Sequence, residues 1–274
     1  MKTLLRNFAF TSGAILTIAL LLVALTAPLI APYDPDVQDT SRRLEPPSKE
    51  HLFGLDELGR DELSRVVWGA RVSLRVGFSV VILASLVGVS LGAISGYFGG
   101  AMDTLIMRIT DILLSFPGIL LAIAMVAVMG PSLNNVVIAL AIIGWVGYAR
   151  LVRGQVLKVR ELEYVTAAKA LGAKSPRVIL RHVLPNVINP VIVMATLGLA
   201  GAILSEAALS FLGLGVQPPT PSWGSMLAYG RPYLGLANHL AYFPGAAIML
   251  AVMGLNFLGD GLIDALDPKY RKQM

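Results

Sequence analysis

Six long apolar runs, at residues 8–31, 72–98, 105–129, 133–152, 187–212 and 240–263, limit what this chain can become. Each is close to or above the roughly 20 residues that an α-helix needs to cross the hydrocarbon core of a bilayer. In hydrocarbon every backbone N–H and C=O must find a partner within the protein, and the helix satisfies them locally. An all-α membrane protein with six transmembrane helices follows. With 55% of residues hydrophobic and 14% charged, an ordinary soluble domain of 274 residues is excluded. The mean hydropathy of +0.71 points the same way.

Much chemistry is excluded as well. The chain has no cysteine, which rules out disulfides, thiolate catalysis and cysteine metal ligands without choosing a compartment. No G-x-x-x-x-G-K-S/T run is present to cradle nucleotide phosphates, and neither H-E-x-x-H nor G-x-S-x-G occurs. His51, His182 and His239 are mutually remote in sequence. No catalytic residue, cofactor-binding residue or metal ligand is assigned.

Along the chain, Lys2 and Arg6 precede the first run, which is too long for the apolar core of a signal peptide and reads as an uncleaved N-terminal anchor, residues 1–31. The polar segment 32–71 follows. Within it Leu63, Val66 and Val67 recur at helical spacing beside Trp68, as in an interfacial helix with an aromatic anchor or an ordinary surface helix. In the second span Ala84, Gly88, Gly92 and Gly96 stand four residues apart, a small-residue stripe that admits another helix backbone. The third span opens with Arg108 and Asp111 on one face, a structural ion pair or a substrate contact, and Pro117 is expected to bend it. Trp145, Tyr148, Arg150 and Arg153 mark the exit of the fourth.

The fifth span has Gly198 and Ala202 at stripe spacing and Glu206, a lone carboxylate that either lines a path or snorkels, with Ser205 and Ser210 as possible partners. In the loop 213–238, Pro218, Pro219 and Pro221 forbid a regular helix at the start, and Trp223, Tyr229 and Tyr233 suit a membrane interface. Asn256 and Asp260 lie near the end of the sixth span, before the basic tail Lys269, Arg271 and Lys272.

One polar island interrupts this pattern: ELEYVTAAKALGAKSPRVILRHVLP, residues 161–185. Glu161 and Glu163 suit a helix start, Gly172 a helix end, Ser175-Pro176 a second start, and Pro185 a second stop. Two helices so short are marginal in water and need a surface on which to bury Tyr164, Val165, Ala168 and Leu171. The residues leave a docking element, a solvated basic loop and, at the far end, a DNA-reading helix-turn-helix as readings. Basic residues from Arg150 to Arg181 outnumber Glu161 and Glu163, which puts this side in the cytoplasm. Arg42, Arg43, Lys49, Arg60, Arg65, Arg71 and Arg75 near the first loop pull against that assignment.

Thr166-Ala167-Ala168, three residues, Gly172, nine residues, His182, one residue and Leu184-Pro185 resemble the EAA loop of ABC-importer permeases. Thr166 replaces the usual Glu and His182 the usual Ile, with Glu163 one turn earlier as a nearby charge. Residues 51–77 (with GLDELGRD), 205–227 and 256–268 resemble one branch, the dipeptide, oligopeptide and nickel importers, whose permease subunits have the type I fold. That resemblance implies a cytoplasmic coupling loop at residues 155–185 within a transmembrane domain at 72–264. It implies an extracytoplasmic segment at 32–71 and a cytoplasmic tail at 265–274. It names Glu163, Thr166, Ala167, Ala168, Gly172, His182, Leu184 and Pro185 as ATPase-coupling residues, and leaves the substrate pathway with Glu206 as a weak candidate. Its implied partners are a second, homologous permease in a heterodimer, two cytoplasmic ATPases that hold ATP and magnesium, an external substrate-binding protein and the bilayer, with no nucleic acid. The expected setting is the cytoplasmic membrane of a prokaryote, with both termini inside and peptides, nickel chelates or another small solute as cargo. The rival class is an ion-coupled secondary transporter, which would show interrupted helices and midplane charges in repeated halves.

Overall fold

The computed structural model describes residues 8–266, so Lys2, Arg6 and the basic tail Lys269, Arg271 and Lys272 lie outside the described part. The described residues form helices joined by turns and one extended cap. The first helix, α1 (Phe8–Ile30), lies antiparallel on the last, α10 (His239–Leu266). Between them run α2 (Glu62–Phe98), α5 (Leu133–Val159) and α8 (Leu184–Phe211). Five helices are long and apolar enough to cross a membrane, or up to six when α3 (Gly100–Leu114) and α4 (Gly118–Met129) count as one broken span.

The closest packing is between α2 and α5, which run parallel. A Cβ on Gly88 would stand 2.5 Å from the Trp145 carbonyl oxygen, one on Gly92 2.5 Å from that of Ala149, and one on Gly96 2.9 Å from that of Arg153. The predicted stripe therefore finds its neighbour within the same chain, where backbone meets backbone as small residues allow. Ala149, Val152 and Val156 of α5 are fully buried along this seam.

Four expectations are corrected. The interfacial helix and the second span are one element, α2, of 37 residues, because neither proline nor capping signal separates Trp68 from Val72. Pro117 breaks its span by 86° instead of bending it, since the residues before it cannot stay helical and Gly118 starts a new helix. Pro185 does not stop a helix: a π turn at Ile179–Val183 carries the chain from α7 (Ser175–Val178) straight into α8, where Pro185 sits in the first turn and its missing N–H costs little. Trp223 is not an interfacial anchor. It is 1% exposed, and its Nε1 donates to the Val66 carbonyl at 2.9 Å. Truncation of so buried an indole would cost about 3–5 kcal/mol.

The segment between α1 and α2 folds as a compact cap held by charges. Asp61 caps α2, accepting from the Ser64 N–H at 2.8 Å, and bonds the His51 Nδ1 at 2.8 Å. Asp56 meets Arg60 at 2.6 Å and Arg65 at 3.4 Å, while Arg42 bridges Glu45 and Glu50 at 2.8 and 3.1 Å. Arg42, Arg60 and Arg65, three of the basic residues that pull against the orientation, are thus matched locally. His239 Nε2 at the start of α10 lies 3.2 Å from the Leu55 carbonyl, and Phe53 stacks on Phe243, which fasten the cap to the bundle.

Candidate functional site

The polar island is a hairpin suspended between two long helices. α5 ends at Val159 with Arg160 as its cap, α6 (Glu163–Ala170) follows, and the chain turns at Gly172 before α7. Gly172 has φ +82°, a left-handed conformation that a Cβ disfavours, so glycine is required at the corner. The Gly172 N–H donates to the Lys169 carbonyl at 2.9 Å, and that of Ala173 to the Ala168 carbonyl at 3.1 Å.

One face of the hairpin is anchored. Val165, Val178 and Val183 are fully buried against Val156, Val159 and Val187 in the same apolar cluster. Tyr164 Oη donates to the His182 carbonyl at 3.4 Å and draws the two arms together. Beneath it, Arg160 Nη1 donates to the Gly96 carbonyl at 2.8 Å, and Arg153 grips Asp103 with two bonds at 2.5 and 2.7 Å. Lys169 Nζ lies 5.0 Å from the Tyr97 ring centroid. Lys169 thus ties the hairpin to α2, and the two arginines tie the end of α5, from which the hairpin hangs, to the junction of α2 and α3.

The other face is bare. Glu163, Thr166, Ala167, Gly172 and Pro185 are exposed, Ala168, His182 and Leu184 half-buried, and Leu171 is 89% exposed. The structure therefore gathers the expected coupling residues on one element but buries only Val165 of the four side chains predicted to need a surface. Tyr164 is 43% exposed, so an apolar strip of Tyr164, Ala167 and Leu171 is left open to a partner. The Thr166 hydroxyl makes one long bond, 3.5 Å, to the Leu162 carbonyl of its own helix.

Within the spans, Arg108 and Asp111 do not form the predicted pair. Asp111 is bonded by Arg150 Nη2 of α5 at 2.5 Å, a partner 39 residues away that local spacing cannot show. Glu206 does not snorkel: it is fully buried, accepting from Ser210 Oγ at 2.6 Å and from Ser73 Oγ of α2 at 3.4 Å. Ser205 points elsewhere, lining a cavity of about 300 Å³ between α2, α4, α5 and α8. Tyr148 lines it too, and was read from the sequence only as an exit marker. Gly144, Gly198 and Gly201 on the same wall were the available signal, since glycines in a helix interior mark close approach or open space.

Among the cap residues, hydrogen bonds from Arg42 hold Glu45 and Glu50 below the usual carboxylate range, and Ser41 does the same for Asp39. Burial pushes Glu57 the other way, helped by the neighbouring Asp56 charge.

Residues 88–272 match the family described as binding-protein-dependent transport system inner membrane component. Residues 1–47 match the N-terminal TM domain of oligopeptide transport permease C. The chain is 50% identical to the dipeptide transport system permease protein DppC of Alkalihalophilus pseudofirmus, over 98% of this chain and 89% of that protein. It is 47% identical to the di/tripeptide transport system permease protein DppC of Pseudomonas aeruginosa, over 99% and 93%. Against the glutathione transport system permease protein GsiD of Pectobacterium atrosepticum the identity is 43%, over 98% and 90%. In fold it is similar to an inward-facing structure of the MetNI methionine ABC transporter, with TM-score 0.59 and 19% identity over 74% of this chain and 96% of that one.

Proposed function

This chain belongs to the family of binding-protein-dependent transport system inner membrane components, and from that premise we propose that it carries short peptides across the cytoplasmic membrane. It is the permease subunit of an ABC importer, and ATP is hydrolysed on separate subunits. Peptide cargo is supported by the relatives named above, whose named solutes, dipeptide, di/tripeptide and glutathione, are all short peptides. An interrupted span is a trait of the ion-coupled rival, and α3–α4 has one, yet the family match decides between the two classes.

The observation that carries the mechanism is the two-faced hairpin, anchored by Val165 and Val178 on one side and open at Leu171 on the other. In this reading the open strip of Tyr164, Ala167 and Leu171 seats on an ATPase, with Glu163 and Thr166 at its polar edge. Closure of the ATPase pair displaces the hairpin, and the Arg160–Gly96 and Arg153–Asp103 ties pass the displacement to α2 and α3. Because α8 continues from α7 through the π turn, it moves as well. A ligand shifts such an equilibrium only by its differential affinity for the two arrangements, and the open strip is where that difference would reside. The hairpin and both termini face the cytoplasm, the cap and its segment 32–71 face outward, and a homologous permease completes the membrane pair. Two ATPases hold ATP and magnesium, and an external binding protein delivers the peptide.

The test is ATP-dependent peptide uptake in proteoliposomes holding the complete complex. Gly172→Val places a β-branched residue at φ +82°, strained by about 1–2 kcal/mol or more. The complex should still assemble and hydrolyse ATP while uptake is lost. Native uptake by an assembled Gly172→Val complex, or uptake with no ATPase present, would overturn the reading.

A further inference from the structure

We infer that the cavity between α2, α4, α5 and α8 is a subsite that receives a side chain of the passing peptide, with the Tyr148 hydroxyl donating to a peptide carbonyl; this rests on the peptide-import reading above. The cavity holds about 300 Å³, at the small end of ligand sites, and its wall includes Gly118, Gly144, Gly198 and Gly201. These glycines lie on three of the four helices, and a Cβ at Gly144 would stand 3.1 Å from Ala84 and one at Gly198 2.8 Å from the Tyr148 hydroxyl, so those two are packing contacts. At Gly201 an added Cβ would meet no atom within 4 Å, so the space there is open and not a packing contact.

Two independent observations point to an occupant. Tyr148, on this wall, is 4% exposed, and its hydroxyl has no hydrogen-bond partner among the described residues. A buried hydroxyl is expensive to leave unpaired in an apolar setting, so a group that arrives with an acceptor is favoured. Gly118 is the first residue after the 86° break at Pro117, and irregular backbone within an apolar span is tolerated where it is enclosed by protein or lines a cavity. A lipid acyl chain would fill the space but leave Tyr148 unpaired. A peptide brings both an apolar side chain and a carbonyl at every residue, and Ser205 offers a second hydroxyl on the wall.

The subsite makes residue size the property that this chain reads. The experiment compares uptake of dialanine and alanyl-tryptophan by the complete complex carrying Gly201→Ala or Gly201→Leu. Gly201→Leu should lower alanyl-tryptophan uptake about tenfold relative to dialanine, with Gly201→Ala in between. Tyr148→Phe should lower the uptake rate of both peptides at saturating peptide by about the same factor while leaving the amount of assembled complex unchanged. Equal effects of Gly201→Leu on both peptides, or none, would overturn the subsite and indicate a void or a lipid groove. An unchanged uptake rate of both peptides in Tyr148→Phe would overturn the hydroxyl's role. ATP-dependent dialanine uptake by the native complex is read separately, so failure of the subsite is distinguishable from failure of the peptide reading.

Discussion

Two polar regions stand at opposite ends of the bundle and treat their charges in opposite ways. In the cap, Asp56, Asp61, Arg60 and Arg65 are at most 3% exposed and answer one another or a neighbouring histidine. In the hairpin the described residues form one ion pair, Arg160–Glu161, and Glu163, Lys174, Arg177 and Arg181 are exposed. The cap pairs these four side chains, with Glu62 Oε1 beneath them left without a partner among the described residues, whereas the hairpin leaves a whole face unpaired. A segment that satisfies its own buried charges acts as scaffold, because an unpaired charge there would cost several kcal/mol. One that leaves apolar and charged groups open beside a buried keel has the surface of half an interface.

That contrast can be broken most directly at Leu171. Leu171→Asp changes a residue that is 89% exposed, so stability of the isolated subunit should change by less than about 0.5 kcal/mol, whereas uptake by the complex should fall at least about tenfold. Copurification of the ATPase measures the docking loss. Full retention of the ATPase would show that the strip is not the contact.

Asp61→Ala is the matching change in the cap. It removes the α2 cap and the partner of His51, and about 1–2 kcal/mol of stability should go with it, measured by thermal unfolding of the detergent-solubilised protein. Uptake per folded complex should stay close to native. A variant that unfolded normally but transported poorly would put the cap in the transport cycle and erase the distinction.

The smallest effect is one of pH. Glu45 and Glu50, the Arg42-bonded pair, titrate below their ordinary value in the folded cap, so their contribution is full above the unfolded value of 4.5 and is lost as pH falls through the lower folded value. Asp39 follows the same sign from its value of 3.8, while Glu57, raised by burial, is relieved on acidification. Three groups against one predict faster amide hydrogen exchange around residues 39–50 below about pH 4.5, corrected for intrinsic rates, and little change around residues 163–178. Equal loosening of both regions would contradict the contrast.

Much of this architecture was legible in sequence because it depends on local or periodic signals. Apolar run length located the spans, the interval from Ala84 to Gly96 foretold a close seam, and the left-handed corner at Gly172 announced itself by residue type. Harder to see were partners set by tertiary contact. Asp111 bonds Arg150 and not Arg108, Glu206 reaches Ser73 across 133 residues, and Trp223 serves Val66 across 157. Nor did the prolines reveal their own strength. Pro117 divides a span whereas Pro185 is absorbed, because a π turn realigns the hydrogen bonds around it and none does so near Pro117. The residues expected to couple stand out by their pattern, but the cavity wall does not, since it is assembled from four separate helices.

The 37-residue α2 begins at a cap aspartate and ends beside the carbonyl that Arg160 holds. At 1.5 Å per residue such a rod is about 55 Å long, so a pivot of about 5° near one tip sweeps the other by roughly 5 Å. A push at the cap and a push at the hairpin therefore lean on opposite handles of a single crowbar.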